Sequence, residues 1–181
     1  MTDFIYKVAD EPEEIEQVHA LNYKTFVEEI PQHPANNTHQ LIDKFHSENT
    51  YLIGKQKGNV VAMMALRDQH PFSLDFKLQN LDQYLPPHHS LCEIRLLAVE
   101  KSFRHSRLFS GLMSYFAETC LAKGYDLALI SGTTRQLSMY QHIGFVPFAH
   151  LVGNEPALFQ PMYLTKDAYT ALKENSRALR R

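Results

Sequence analysis

The 181-residue chain has no tryptophan, only two cysteines and little charge excess of either sign. It has no uninterrupted apolar run of about 18 residues, the length that marks a membrane-spanning helix. Cys92 and Cys120 fall within apolar patterns rather than a paired framework, so both read as small core hydrophobes. The balance of 18 Lys and Arg against 20 Asp and Glu speaks against a general nucleic-acid binder, which normally carries a basic excess. A short basic cluster, Arg177, Arg180 and Arg181, reads as a solvated helix end. No apolar run of signal-peptide length follows Met1, which makes a cytoplasmic location the expectation. The ten histidines lack paired zinc spacing: His33, His39 and His46 are scattered, His88-His89 adjoins two prolines, and no cysteine supports them. No metal is therefore expected.

What is present suits one domain over residues 1–181. Hydrophobic residues make up 44% and charged residues 21%, ordinary globular usage. A chain of this size hides roughly 70% of its unfolded surface on folding. Phe4 to Val8 reads as a strand, and Asp10 to Ile30 as a helix capped by Asp10 and stopped by Pro31. A second helix is expected over Thr38 to His46. Tyr51–Gly54 and Val60–Leu66 flank a Lys57-Gly58-Asn59 turn, a hairpin signal. Arg67 to Ser90, with Pro71, Pro86 and Pro87 around a Leu74, Leu78, Leu81, Tyr84, Leu85 series, reads as an insertion covering one side of the sheet.

The remainder alternates. Leu91–Val99 is a strand, a helix begins near Ser106 and ends by Gly124, and Leu127–Ile130 is a strand. A short helix over Thr134–His142 leads through Gly144-Phe145-Val146 into Pro161–Thr165 and a closing helix, Lys166–Leu179. This order predicts an α/β fold of the α+β kind, a mixed sheet with helices on both faces.

Leu97-Ala98-Val99, the loop Arg104-His105-Ser106-Arg107-Leu108-Phe109 and a later Tyr140-x-x-x-Gly144-Phe145 together resemble the GNAT acyltransferase superfamily. The resemblance covers about Leu91 to Phe148 and implies a mostly antiparallel central sheet. It implies acyl transfer from acetyl-CoA or another acyl-CoA to an amine. The backbone near Leu97–Val99 would meet the pantetheine arm, and the loop Arg104–Phe109, opening a helix, would meet the pyrophosphate. A backbone N–H near Leu97–Val99 would also stabilise the oxyanion formed in the attack. Tyr140 would protonate the departing thiolate.

Glu93 lies where histone-acetylating members of the superfamily hold a catalytic base, and an amine acceptor must lose a proton before it attacks. The alternative role for Glu93 is a structural ion pair with Arg95 or Arg67.

The pattern breaks in the loop, where Arg107 and Phe109 stand in place of the family's glycines. Side chains there crowd the phosphates, unless Arg104 and Arg107 bind them directly. A donor carried on acyl carrier protein, which presents pantetheine without adenosine diphosphate, avoids that problem. Tyr23-Lys24-Thr25-Phe26-Val27-Glu28-Glu29, with Glu93–Val99, is similar to the N-acyl amino acid synthase and autoinducer synthase branch. That branch implies an acyl-carrier-protein donor, an amino acid or related acceptor, and an acyl tunnel that the Leu- and Phe-rich insertion would line. A small amine, an amino acid or a protein lysine fits as acceptor, and a homodimer is compatible with the chain. The reading from another class is a catalytically silent GNAT-like domain that binds a ligand or partner.

Overall fold

The computed structural model describes residues 3–154 and 157–178, with side chains to 174. The basic C-terminal side chains lie outside the described residues. Two compact units are present: one holds the chain up to Arg67 together with Arg95–Thr119, the other Asp68–Ile94 and the chain from Cys120.

In the first unit, β1 (Ile5–Val8) pairs antiparallel with β2 (Thr50–Gln56), which pairs antiparallel with β3 (Asn59–Arg67). Lys57 (φ 50°) and Gly58 (φ 84°) both sit in the left-handed region, the turn geometry that matches the twist of a tight hairpin. Helix α1 (Pro12–Tyr23) starts one residue later than expected. Its N-cap is Glu11, and proline occupies the first helical position, where a missing N–H costs nothing. The helix continues as the sequence suggests, but Lys24–Glu29 adopts π pitch, with Ile30 N–H donating to the Thr25 carbonyl at 2.9 Å.

The helix expected over Thr38–His46 does not form; a 3₁₀ turn at His46–Glu48 is its only regular remnant. Side chains compete with the backbone there. The Asn36 amide oxygen accepts from Thr38 N–H (3.1 Å) and hydroxyl (2.8 Å), and the Asp43 carboxylate accepts from Phe45 N–H (3.1 Å).

Strand β4 (Leu91–Val99) gives its first half to the second unit and its second half to the first. In the second unit it pairs parallel with β5 (Leu127–Thr133), from Leu91↔Leu127 to Ile94↔Ile130. β5 pairs antiparallel with β8 (Ala157–Thr165), which also takes β6 (Val146–Pro147) and β7 (Val152–Asn154) antiparallel. The fold is thus mixed α/β with mostly antiparallel strands, as expected. β8 begins before Pro161, where the sequence suggested a start, because Pro161 sits inside the strand opposite Ser131.

Helix α2 (Leu108–Lys123) ends at Gly124, whose φ of 79° suits a C-terminal cap. Helices α3 (Leu137–His142) and α4 (Lys166–Ala178) fall where expected. The insertion covers the sheet as expected: its Phe72, Leu74, Leu78 and Leu81 are buried against Leu91 of β4 and Leu127 and Leu129 of β5. Cys92 is buried and Cys120 half-buried, both free thiols, with sulfurs 3.8 Å apart. Among the described residues no helix is long and apolar enough to cross a membrane.

Candidate acyl-transfer site

In the first unit, the backbone of β4 is abnormal where the donor is expected. Leu96 has φ 52°, a left-handed conformation inside a strand, in a residue with a full side chain. Such a placement costs of order 1–3 kcal/mol and persists only where surrounding packing enforces it. Leu96 packs against the cluster of Val18, Leu21, Ile53, Met63 and Ala98. The kink re-aims the next amides and carbonyls along the strand, as a bulge does. The fully buried run Leu91–Ile94 gives way here to half-buried Arg95, Leu96 and Leu97, with Ala98 buried and Val99 half-buried.

After the strand, Lys101–Phe103 makes a 3₁₀ turn and Arg104 folds back on it. Its Nε donates to the Val99 carbonyl at 2.9 Å and its Nη2 is paired with Glu29. Arg104 therefore braces the loop. Ser106 caps α2: its hydroxyl accepts from Leu108 N–H at 3.2 Å and donates to the Phe103 carbonyl at 2.6 Å. His105, Ser106 and Arg107 are exposed, Phe109 is half-buried and Leu108 is fully buried.

Sequence reasoning missed the contact that seats this helix. A Cβ on Gly111 would lie 2.0 Å from the Tyr6 Oη and 2.3 Å from its Cζ, so glycine admits the Tyr6 ring against the first turn. The Tyr6 hydroxyl donates to the Leu108 carbonyl at 3.3 Å.

In the second unit, Glu93 is buried at 0% exposure and accepts twice from Ser73. The backbone N–H reaches Oε2 at 2.8 Å and the hydroxyl reaches Oε1. Tyr140 is buried on α3, its hydroxyl donating to Gln136 Oε1 at 3.3 Å. Burial raises its phenol above the ordinary value, so it holds its proton. Gly132 of β5 leaves room for the ring, since a Cβ there would meet Tyr140 carbons at 3.0 and 3.1 Å.

The Tyr-x-x-x-Gly-Phe pattern now has a physical origin, because it closes α3. Gly144 (φ 101°) donates to the Gln141 carbonyl at 2.9 Å, and Phe145 N–H donates to the Tyr140 carbonyl at 3.0 Å. The two aromatic rings meet edge to face at 6.3 Å. This is the Schellman termination with its accompanying apolar contact.

One group in this unit lacks a protein partner. Ser131 Oγ, on β5 just past the last pair of the β4–β5 ladder, is buried with no hydrogen bond among the described residues.

The family model for the acetyltransferase (GNAT) domain matches residues 21–114. The chain belongs to the GNAT acetyltransferase family. It is an N-acyltransferase. A search of curated proteins finds no match. Among solved structures, the GNAT chain is similar to the CoA-dependent acyl-homoserine lactone synthase BjaI. That match has 17% identity and a TM-score of 0.78, covering 96% of this chain and 89% of that one. The acyl-homoserine lactone synthase LasI follows at 16% identity and TM-score 0.73, with 95% of each chain covered. FeeM, an N-acyl amino acid synthase from uncultured soil microbes, matches at 11% identity and TM-score 0.69, with 94% of each covered. At these identities the likeness is one of fold.

The first unit of this GNAT chain also buries charge that the sequence did not reveal. Arg95 grips Asp43 with two nitrogens, at 2.6 and 3.0 Å. Burial alone would raise the Asp43 carboxyl, but the Arg95 guanidinium outweighs it and holds the group below its ordinary value. The Phe45 ring lies under both Arg95 (4.7 Å) and Arg67 (4.0 Å), and Arg67 is ion-paired with Glu48 at 2.8 Å. His19 Nε2 lies 3.3 Å from His46 Nδ1, which lies 3.1 Å from the Tyr51 hydroxyl. Among the described residues, three metal-ligating side chains gather only at Asp10, Glu11 and Glu14, where Lys55 (2.5 Å) and Lys7 (3.0 Å) already meet Glu14.

Proposed function

We propose that the chain, acting as one acyltransferase domain over residues 1–181, moves an acyl group from the thioester of acyl-CoA to an amine by direct attack. The observation that carries this reading is Leu96, a left-handed residue in mid-strand immediately before Leu97–Val99. Strained backbone of this kind is worth keeping where it presents N–H and C=O groups to a ligand. The backbone at Leu97 and Ala98 serves the pantetheine arm, and a backbone N–H there polarises the thioester carbonyl. The α2 N-terminus and exposed Arg107 take the pyrophosphate.

Glu93 receives the proton that the ammonium loses before attack. Tyr140 supplies one to the departing thiolate and is reprotonated by the second N–H proton, shed as the tetrahedral adduct collapses to the amide. Base and acid both come from side chains, so the reaction calls for no metal. The acceptor is a small amine or an amino acid, and acetyl is the acyl group.

A second reading has its own observation. Arg104 is committed to Glu29 and Val99, and Ser106 already caps Leu108, which weakens the phosphate cradle. This favours a longer acyl group delivered on acyl carrier protein to an amino acid acceptor. The fold of FeeM, an N-acyl amino acid synthase, is in keeping with the amino acid acceptor, whereas BjaI, CoA-dependent and also solved with SAM and isopentyl-CoA, is in keeping with a CoA donor.

Thermal unfolding of the purified chain with acetyl-CoA, a long-chain acyl-CoA and an acylated carrier protein separates the readings. A ligand at a hundredfold excess over its dissociation constant stabilises the folded state by about 2.7 kcal/mol. A rise with acetyl-CoA is the expected result. A rise with the carrier protein alone selects the second reading, and silence with all three, amines present, sinks both.

A further inference from the structure

Glu93 is wholly buried, so an acceptor amine needs an intermediary to reach its carboxylate. Ser73 is half-buried and already hydrogen-bonded to that carboxylate. A hydroxyl carries one proton and two lone pairs. While donating to Glu93, it can accept from a second donor. The backbone N–H of Ser73 holds the other carboxylate oxygen at 2.8 Å, so the orientation of Glu93 does not hang on the hydroxyl alone.

The turn that carries Ser73 is itself fixed. Asp75 accepts from Phe72 N–H and from His70 Nδ1, each at 2.7 Å, while Phe72 and Leu74 on either side of Ser73 are core residues. A hydroxyl held this firmly is preorganised for proton transfer.

We propose, building on the reading of Glu93 as the base, that Ser73 is the outer member of a two-residue base. An N–H bond of the acceptor ammonium breaks as a new O–H bond forms on Ser73. The original Ser73 O–H bond breaks in the same event, and its proton passes to Glu93 Oε1. The freed nitrogen lone pair attacks the thioester carbonyl. Ser73 ends unchanged, and Glu93 returns its proton to water through the same hydroxyl.

The test uses acetyl-CoA with two small acceptors: n-propylamine, protonated at neutral pH, and hydroxylamine, largely unprotonated there, with its uncatalysed reaction subtracted. Ser73→Ala is expected to lower kcat with propylamine by about tenfold or more, within the usual range for general-base groups. KM for acetyl-CoA should hold, the loss with hydroxylamine should be much smaller, and Ser73→Thr should restore the rate. Equal losses with both amines would mean a structural role and overturn the proposal. Full activity of Ser73→Ala beside an inactive Glu93→Gln would overturn the relay while leaving the base in place. Full activity of Glu93→Gln would overturn both. If Ser73→Ala loses its thermal transition, Ser73→Gly carries the same comparison, since it too has no side-chain proton and keeps the backbone N–H to Glu93.

Discussion

Tyr140 is the cleanest case at the scale of single residues. The proposed general acid must be protonated, and burial lifts the Tyr140 phenol above the ordinary value near 10. The protonated form therefore persists past the range where a free tyrosine titrates. We expect Tyr140→Phe to lower kcat by about a hundredfold while moving the thermal midpoint little, because the bond it removes is a long one to exposed Gln136. Steady-state rates and a melting curve on the same sample check both. The helix end that carries Tyr140 was legible in the sequence because the glycine and phenylalanine after it force a fixed local spacing. Arg104 was half legible. Its place in the loop could be read, but its partner Glu29 lies 75 positions away, and no local pattern encodes that pairing.

At the scale of elements, Gly111 and Glu14 each hold a helix against strand β1 or its neighbour. Gly111→Ala should raise helix propensity by up to about 1 kcal/mol, yet its Cβ would overlap the Tyr6 ring. We expect the overlap to win, with a net loss of about 1–3 kcal/mol in denaturant unfolding. Tyr6→Leu in that background should recover part of the loss, while Tyr6→Phe should not, because the ring carbon remains.

Glu14 makes a prediction about acid. Burial opposes its charge, but the hydrogen bonds from Lys55 and Lys7 and from the Asp10 and Glu11 amides prevail, taking the carboxyl from 4.5 to about 2. A group held down in the folded state adds stability above its unfolded value, near 4.5, and loses it as pH falls towards 2. Thermal midpoints followed from about pH 6 downward should fall for the native chain across that window. Glu14→Gln should start lower and converge with it. The elements themselves were mostly legible, since β4, the hairpin and α2 announce themselves by period and turn residues. The Thr38–His46 helix failed because Asn36 and Asp43 spend their side chains on nearby amides, and periodicity does not count such bonds.

For the whole molecule, mixed topology came from element order, because strands that alternate with helices late in the chain allow few arrangements. Long-range polar structure did not. Asp43, Phe45, Arg67 and Arg95 are scattered in sequence, and only folding stacks the two guanidinium groups on one ring. The division of β4 between two compact units is equally invisible in its residues, which read as one unbroken strand.

The π-pitched segment Lys24–Glu29 bears on how such a chain tolerates change in its gene. A turn closed by i→i+5 bonds holds one residue more than an α turn, so the helix carries the equivalent of an inserted codon. Losing one codon between Lys24 and Glu29 would restore ordinary pitch with nearly the same total rotation, so the residues after it would keep their facing. Lys24 and Glu29 would then still face their partners, Glu100 and Arg104. Both the reading frame and the brace on the loop before α2 would survive such a deletion, whereas losing a codon from the α-pitched stretch before Lys24 would turn that brace away.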